Sequence, residues 1–147
     1  MTPIERKIEK LVADNQPFIL IRYEEMFCED YNSRSYELVT WQNRDQYQPS
    51  MVMDSNLFRK IIKDYDLQLL ESSEMGRVYG IDNRLQQLSR EFNRAVDPLK
   101  KRYHALKFKF LGDKKNKSII QEYKKAYREL REFERLFMEK NNIKKIR

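Results

Sequence analysis

The stretch NRLQQLSREFNRAVDPLKKRYHALKFKF, residues 83–110, decides the architecture of this chain. Leu85, Leu88, Phe92, Val96, Leu99, Tyr103, Leu106 and Phe110 recur there at steps of three and four, the spacing of an apolar seam along an α-helix. Asp97-Pro98 interrupts the run and reads either as a kink or as the N-cap and first residue of a fresh helix. Leu106-Lys107-Phe108-Lys109-Phe110 also alternates with a period of two, so a strand stays open as a rival for that segment. Beyond it, Gly112-Asp113 reads as a turn and Ser118 as the cap of a second helix. Ile120, Tyr123, Tyr127, Leu130, Phe133 and Phe137 share one side of that helix, and Asn141-Asn142 reads as its frayed end. Two long helices joined by a short loop predict an antiparallel hairpin.

Upstream the periodicity is mixed. Thr2-Pro3 has the form of an N-cap followed by Pro at the first helical position, and Ile4, Ile8, Leu11 and Val12 continue at helical spacing to about Asp14. Phe18 to Tyr23 is a β-branched and aromatic run that predicts a buried strand. Ser35 to Trp41 alternates and predicts a second strand, antiparallel to the first, followed by a polar loop from Asn43 to Ser50. Asp54 or Ser55 can cap a helix whose apolar stripe is Leu57, Phe58, Ile61, Ile62 and Tyr65. Leu67 to Glu71 and Val78 to Ile81 flank a turn containing Gly76 and predict a hairpin. The expected fold is therefore α+β. A small α-β-β-α-β-β unit with an antiparallel sheet spans residues 1–82, and a long antiparallel helical hairpin follows over 83–147.

Charge divides at the same place. Residues 1–82 carry 10 Lys/Arg against 15 Asp/Glu, a net of −5, while residues 83–147 carry 20 against 8, a net of +12. Such an asymmetry speaks to fields and partners. The chain has 147 residues, about the size of one ordinary domain. Its nine Tyr, eight Phe and one Trp supply the large side chains of a folded core. The longest apolar run, Phe18 to Ile21, falls far short of the ~20 residues of a membrane span, and no membrane partner is expected. Met1-Thr2-Pro3 leads straight into a charged amphipathic stretch, so no signal peptide is expected either. The single Cys28 excludes an internal disulfide and suits a reducing compartment, with the cytoplasm as the expectation.

Familiar catalytic chemistry finds no foothold. The one His104 stands among Lys100, Lys101 and Arg102, with no nucleophile or carboxylate placed beside it by the sequence, and is read as a surface residue. Cys28 is ringed by Glu24, Glu25, Glu29 and Asp30, which oppose thiolate formation. Those carboxylates lack the alternating spacing of a calcium loop and are read as a solvated acidic turn. One Cys and one His cannot furnish a zinc site, and three glycines make no phosphate loop. Glu5-Arg6-Lys7 has the local form of a nuclease Glu-x-Lys but falls on the first helix, as plain surface. No cofactor, no metal and no catalysis are expected.

What remains is binding. Residues 100–117 hold eight Lys/Arg (Lys100, Lys101, Arg102, Lys107, Lys109, Lys114, Lys115 and Lys117) against Asp113 alone. Tyr103, Phe108 and Phe110 are interleaved with them. Cations of this density neutralise phosphates, and exposed aromatics stack on unpaired bases. Lys124, Arg128, Arg131 and Arg135 extend the stripe along the last helix, where Lys125–Glu129, Arg128–Glu132 and Arg135–Glu139 have the four-residue spacing of compensating ion pairs. The expected function is non-catalytic nucleic-acid binding through the basic hairpin, with RNA, DNA or a nucleoprotein complex as partner. The alternative is a protein–protein adaptor or inhibitor, of the kind mobile elements encode, that docks on a host protein or nucleoprotein enzyme. Its apolar seam could pair two copies into a homodimer.

Overall fold

The computed structural model describes residues 1–24, 33–46 and 48–145. Its elements run α1 (Pro3–Ala13), β1 (Phe18–Tyr23), β2 (Ser33–Thr40), β3 (Met51–Asp54), α2 (Ser55–Asp64), β4 (Gln68–Ser72), β5 (Gly76–Gly80), α3 (Arg84–Gly112) and α4 (Lys117–Lys140). The strands form one antiparallel sheet in the order β3-β2-β1-β5-β4. The fold class is α+β, with the last two helices packed as a hairpin. Two compact units divide the chain. One comprises Met1–Gln87 with Lys145–Arg147, and the other Leu88–Lys144.

In the sheet unit, alternation along β1 and β2 sets the layers. Phe18 and Leu20 share a face with Tyr36 and Leu38, and Ile8 and Leu11 of α1 and Phe58 and Ile61 of α2 close over that face as the core. The Tyr36 and Phe58 ring centroids lie 5.0 Å apart. Ile19, Ile21, Tyr23, Val39 and Glu37, which point the other way, are buried as well. A central strand buried on both faces reads as a continuous apolar run, which is what Phe18 to Ile21 is.

β3 is an addition to the expected order. It pairs with the start of β2, Ser33 opposite Asp54 and Tyr36 opposite Met51. Only Met53 of its four residues is buried. An edge strand this short is held by backbone pairing on one side, so its side chains announce little.

Glu5 is another correction. It is not surface but 4% exposed. Its carboxylate accepts from the Thr2 amide at 3.1 Å and the Thr2 hydroxyl at 2.9 Å, completing a capping box. It also pairs with Lys60 of α2 at 2.8 Å, tying the two helices together. The hydrogen bond from Lys60, then those from Thr2, lower its pKa to about 2.

With so few glycines, helices end on Asn and Asp. Asn15, Asp66 and Asn142 take the left-handed conformation (φ 52°, 50° and 56°) just past α1, α2 and α4. Each end carries the paired bonds of a Schellman motif: Gln16 N–H to the Leu11 carbonyl at 2.8 Å, Leu67 to Ile62 at 3.0 Å, and Ile143 to Met138 at 2.8 Å. Asn141-Asn142 is thus a closed cap, not a frayed end. Gly76 is required for a different reason. A Cβ there would lie 2.2 Å from the Arg22 carbonyl oxygen, so only glycine lets β5 approach β1.

Candidate nucleic-acid interface

The hairpin is built from its seam outward. Leu88, Phe92, Val96 and Leu106 of α3 are buried, and Phe92 packs against Phe133 and Phe137 of α4 with ring centroids 5.7 and 5.2 Å apart. Nearer the tip, Tyr103 packs on Tyr123 and Tyr127, and Phe110 on Tyr123 at 5.1 Å. The hydroxyls of Tyr103 and Tyr123 lie 3.1 Å apart. That hydrogen bond first, and burial second, raise the pKa of Tyr103. α3 runs unbroken through Pro98 and through residues 106–110, so the strand alternative for that segment is excluded. Pro98 removes one backbone donor from the ladder, and the packed seam on either side holds the helix together across it.

The tip differs in detail from expectation. Gly112 is the last residue of α3 and the turn is 113–116. Asn116, not Ser118, is the N-cap of α4, its side chain accepting from the amides of Ser118 and Ile119 at 3.1 and 3.3 Å. On α4, Ala126 and Met138 are buried whereas Tyr127 is exposed. The seam therefore lies slightly rotated from the aromatic stripe.

All twelve cations of the expected interface are exposed. They divide by partner. Lys101 pairs with Asp97 at 3.0 Å, Arg102 reaches across the hairpin to Glu129 at 3.0 Å, and Arg135 engages both Glu132 and Glu139. The hydrogen bond from Arg135 holds the Glu132 carboxyl below its usual range. The four-residue pairs expected at Lys125–Glu129 and Arg128–Glu132 do not form, because Arg102 and Arg135 take those carboxylates. Arg131 lies over the Tyr127 ring at 5.7 Å. Among the described residues, no ion pair engages Lys100, Lys107, Lys109, Lys114, Lys115, Lys117, Lys124 or Arg128. Lys107, Lys109, Lys114, Lys115 and Lys117 lie in or within six residues of the turn, and Lys100, Lys124 and Arg128 lie farther along α3 and α4.

Two features lie beside them, one at Phe108, which the sequence names among the interleaved aromatics without fixing its exposure, and one on α4, which it does not name. Phe108 is 79% exposed and Leu111 57%, on the side of α3 that carries Lys100, His104 and Lys107. An open groove on α4 is lined by Gln121, Tyr123, Lys124, Tyr127 and Arg128, which places aromatic rings beside unpaired cations. Helical spacing alone contains the second signal, since residues 124, 127, 128 and 131 share one stripe. Exposure of Phe108 carries no such mark, because a period-two pattern of aromatics and lysines fits a strand, a core edge or a surface equally.

His104 touches Tyr103 edge-on at 5.4 Å between ring centroids. No cluster of three or more His, Cys, Asp or Glu able to hold a metal occurs among the described residues, and no helix among them is long and apolar enough to cross a membrane. Cys28 and the carboxylates Glu25, Glu29 and Asp30 lie outside the described residues. No protein-family model, curated protein or solved structure matches this chain.

Proposed function

We propose that this chain is a non-catalytic nucleic-acid-binding protein that grips phosphate backbones with its basic helical hairpin. The observation that supports the reading is the set of eight exposed cations that, among the described residues, have no ion-pair partner, five of them in or within six residues of the hairpin turn. A folded protein gains little from holding so many like charges together. Phosphates neutralise them and release counterions in doing so. Exposed Phe108 and the Tyr127 ring offer flat apolar surfaces for unpaired bases, which favours single strands over duplex. The lone cysteine, with no second to pair with, fits a reducing cytoplasm.

The experiment is fluorescence anisotropy with single- and double-stranded DNA and RNA oligonucleotides from 50 to 200 mM salt. Six phosphate contacts give a log–log salt slope of about −5 on duplex DNA and about −4 on single strands. Changing one tip lysine to Ala should reduce the slope by about one while weakening all sequences alike. No binding to any of the four probes at low salt would sink the reading.

A second reading has one observation in its favour. Phe108 and Leu111 form an exposed apolar pair on α3, and such a pair also suits an adaptor or inhibitor docking on a protein partner. In that case binding to the partner would be nearly insensitive to salt, and Phe108→Ala would outweigh any lysine change.

A further inference from the structure

The sheet unit contains a cation cluster that the hairpin reading does not use. Arg22 on β1 and Arg77 on β5 are directly opposite each other in the antiparallel ladder. Side chains so placed have Cβ atoms only about 5 Å apart, and like charges there destabilise the pairing. Neither guanidinium has an ion-pair partner among the described residues. Arg34, on β2, joins them around an open pocket of about 110 Å³ that Glu24 and Tyr23 also line. Arg34 and Glu24 each make further interactions of their own. Arg22 is steadied from the core side, its guanidinium 5.7 Å above the centre of the Phe58 ring. The pocket therefore lies at the end of the face covered by α2.

Among the described residues, three guanidiniums and one carboxylate line this concavity, and Arg22 and Arg77 face each other there with no ion-pair partner. Nothing in sheet pairing asks for that arrangement. A tetrahedral dianion does: its oxygens accept from planar guanidinium forks, and its charge offsets the repulsion between Arg22 and Arg77. We propose that Arg22, Arg77 and Arg34 form a binding site for a phosphate group, supplied as inorganic phosphate or as a small phosphate monoester. The site is independent of the hairpin, so it stands or falls separately from nucleic-acid binding. The rival occupant is a carboxylate of the chain itself, since Glu25, Glu29 and Asp30 follow Glu24 closely in sequence.

The test is calorimetric titration of the full chain, in chloride buffer, with inorganic phosphate and with ribose 5-phosphate. Saturable one-to-one binding is expected, and the tighter probe names the source. Arg77 is exposed and its charge is repelled by Arg22, so Arg77→Gln should hold or raise the melting temperature while lowering affinity at least about tenfold. Arg22→Gln should do the same to binding. Charge reversal of Lys114, Lys115 and Lys117 should leave it unchanged. Absence of saturable binding by the unaltered protein overturns the proposal, as does an Arg77→Gln variant that binds equally well. Binding that emerges only in a Glu25→Gln, Glu29→Gln, Asp30→Asn variant also overturns it, because the arginines then serve the chain's own carboxylates.

Discussion

Glu5 and Lys114 mark two ways in which this chain uses charge. In the sheet unit, three acidic side chains are joined into the fold. Glu5 caps α1 and holds Lys60 of α2. Glu37, 2% exposed, accepts from the Tyr23 hydroxyl at 2.9 Å and the Gln48 amide at 3.2 Å. Asp54 caps α2 through the Leu57 amide at 2.9 Å. In the hairpin the fold is held by rings instead, from Phe92, Phe133 and Phe137 at one end to Tyr103, Tyr123 and Phe110 at the other. Among the described residues, eight of its exposed cations engage in no ion pair. Removing Glu5, Glu37 or Asp54 should therefore act on stability, and removing a cation from the hairpin tip should act on binding.

The largest expected effect tests that division directly. Lys114, Lys115 and Lys117 changed together to Glu should weaken oligonucleotide binding at least about a hundredfold, because each lost phosphate contact also becomes a repulsion. Helicity by circular dichroism and the melting temperature should stay within error, since all three side chains are exposed. A large fall in melting temperature would break the comparison by showing that the tip charges are structural.

The reverse case is Phe92→Ala. Phe92 is buried against two rings of α4, and truncating such a side chain costs about 3 kcal/mol or more through lost burial and the cavity left behind. Phe108→Ala, by contrast, should cost under about 0.5 kcal/mol and be felt in oligonucleotide affinity, where loss of one stacked base is worth about 1–3 kcal/mol. Chemical denaturation of the two variants beside the anisotropy assay separates the roles.

How much of this was legible in the residues follows the same division. The hairpin seam was plain because Leu88, Phe92, Val96 and Leu106 repeat at one helical period over many turns. The strands of β1 and β2 were plain from a β-branched run and an alternating one. β3 was hidden because four residues with one buried side chain leave no period to count. Which cations are free was hidden too. Sequence spacing paired Glu129 with Lys125, but an arginine on the facing helix reaches it instead, and only tertiary placement decides such a competition. The Arg22–Arg77 juxtaposition likewise depends on a strand order, β1 beside β5, that no local pattern fixes.

Glu5 offers a sharper test of charge joined to the fold. Its folded pKa of about 2 lies below the ordinary carboxyl value, so the unfolded chain takes up the proton first as pH falls. The contribution of Glu5 to stability is then fully present above about pH 4.5 and is lost between there and about pH 2. Lys60 shifts upward through the same hydrogen bond, so its contribution persists to alkaline pH and is lost only above the ordinary lysine range. Melting curves from pH 7 to 2 should show a steeper acid decline for the natural chain than for Glu5→Gln. Parallel curves would mean that the pair forms equally in the unfolded state or not at all.

The smallest effect is expected at Gly112, and its sign is informative. The residue is helical, at the end of α3, and a Cβ placed there meets no atom within 4 Å. Gly112→Ala should therefore stabilise the hairpin by up to about 0.5 kcal/mol, by narrowing the unfolded ensemble and favouring the helix. Gly76→Ala, where the Cβ would strike the Arg22 carbonyl, should do the opposite and by far more. Denaturant midpoints for both variants decide the matter. Stabilisation at 112 with oligonucleotide affinity unchanged fits a tip that presents lysines from a rigid helix end. Loss of affinity with stability gained would instead mean that the last turn of α3 must unwind for the tip to reach its ligand.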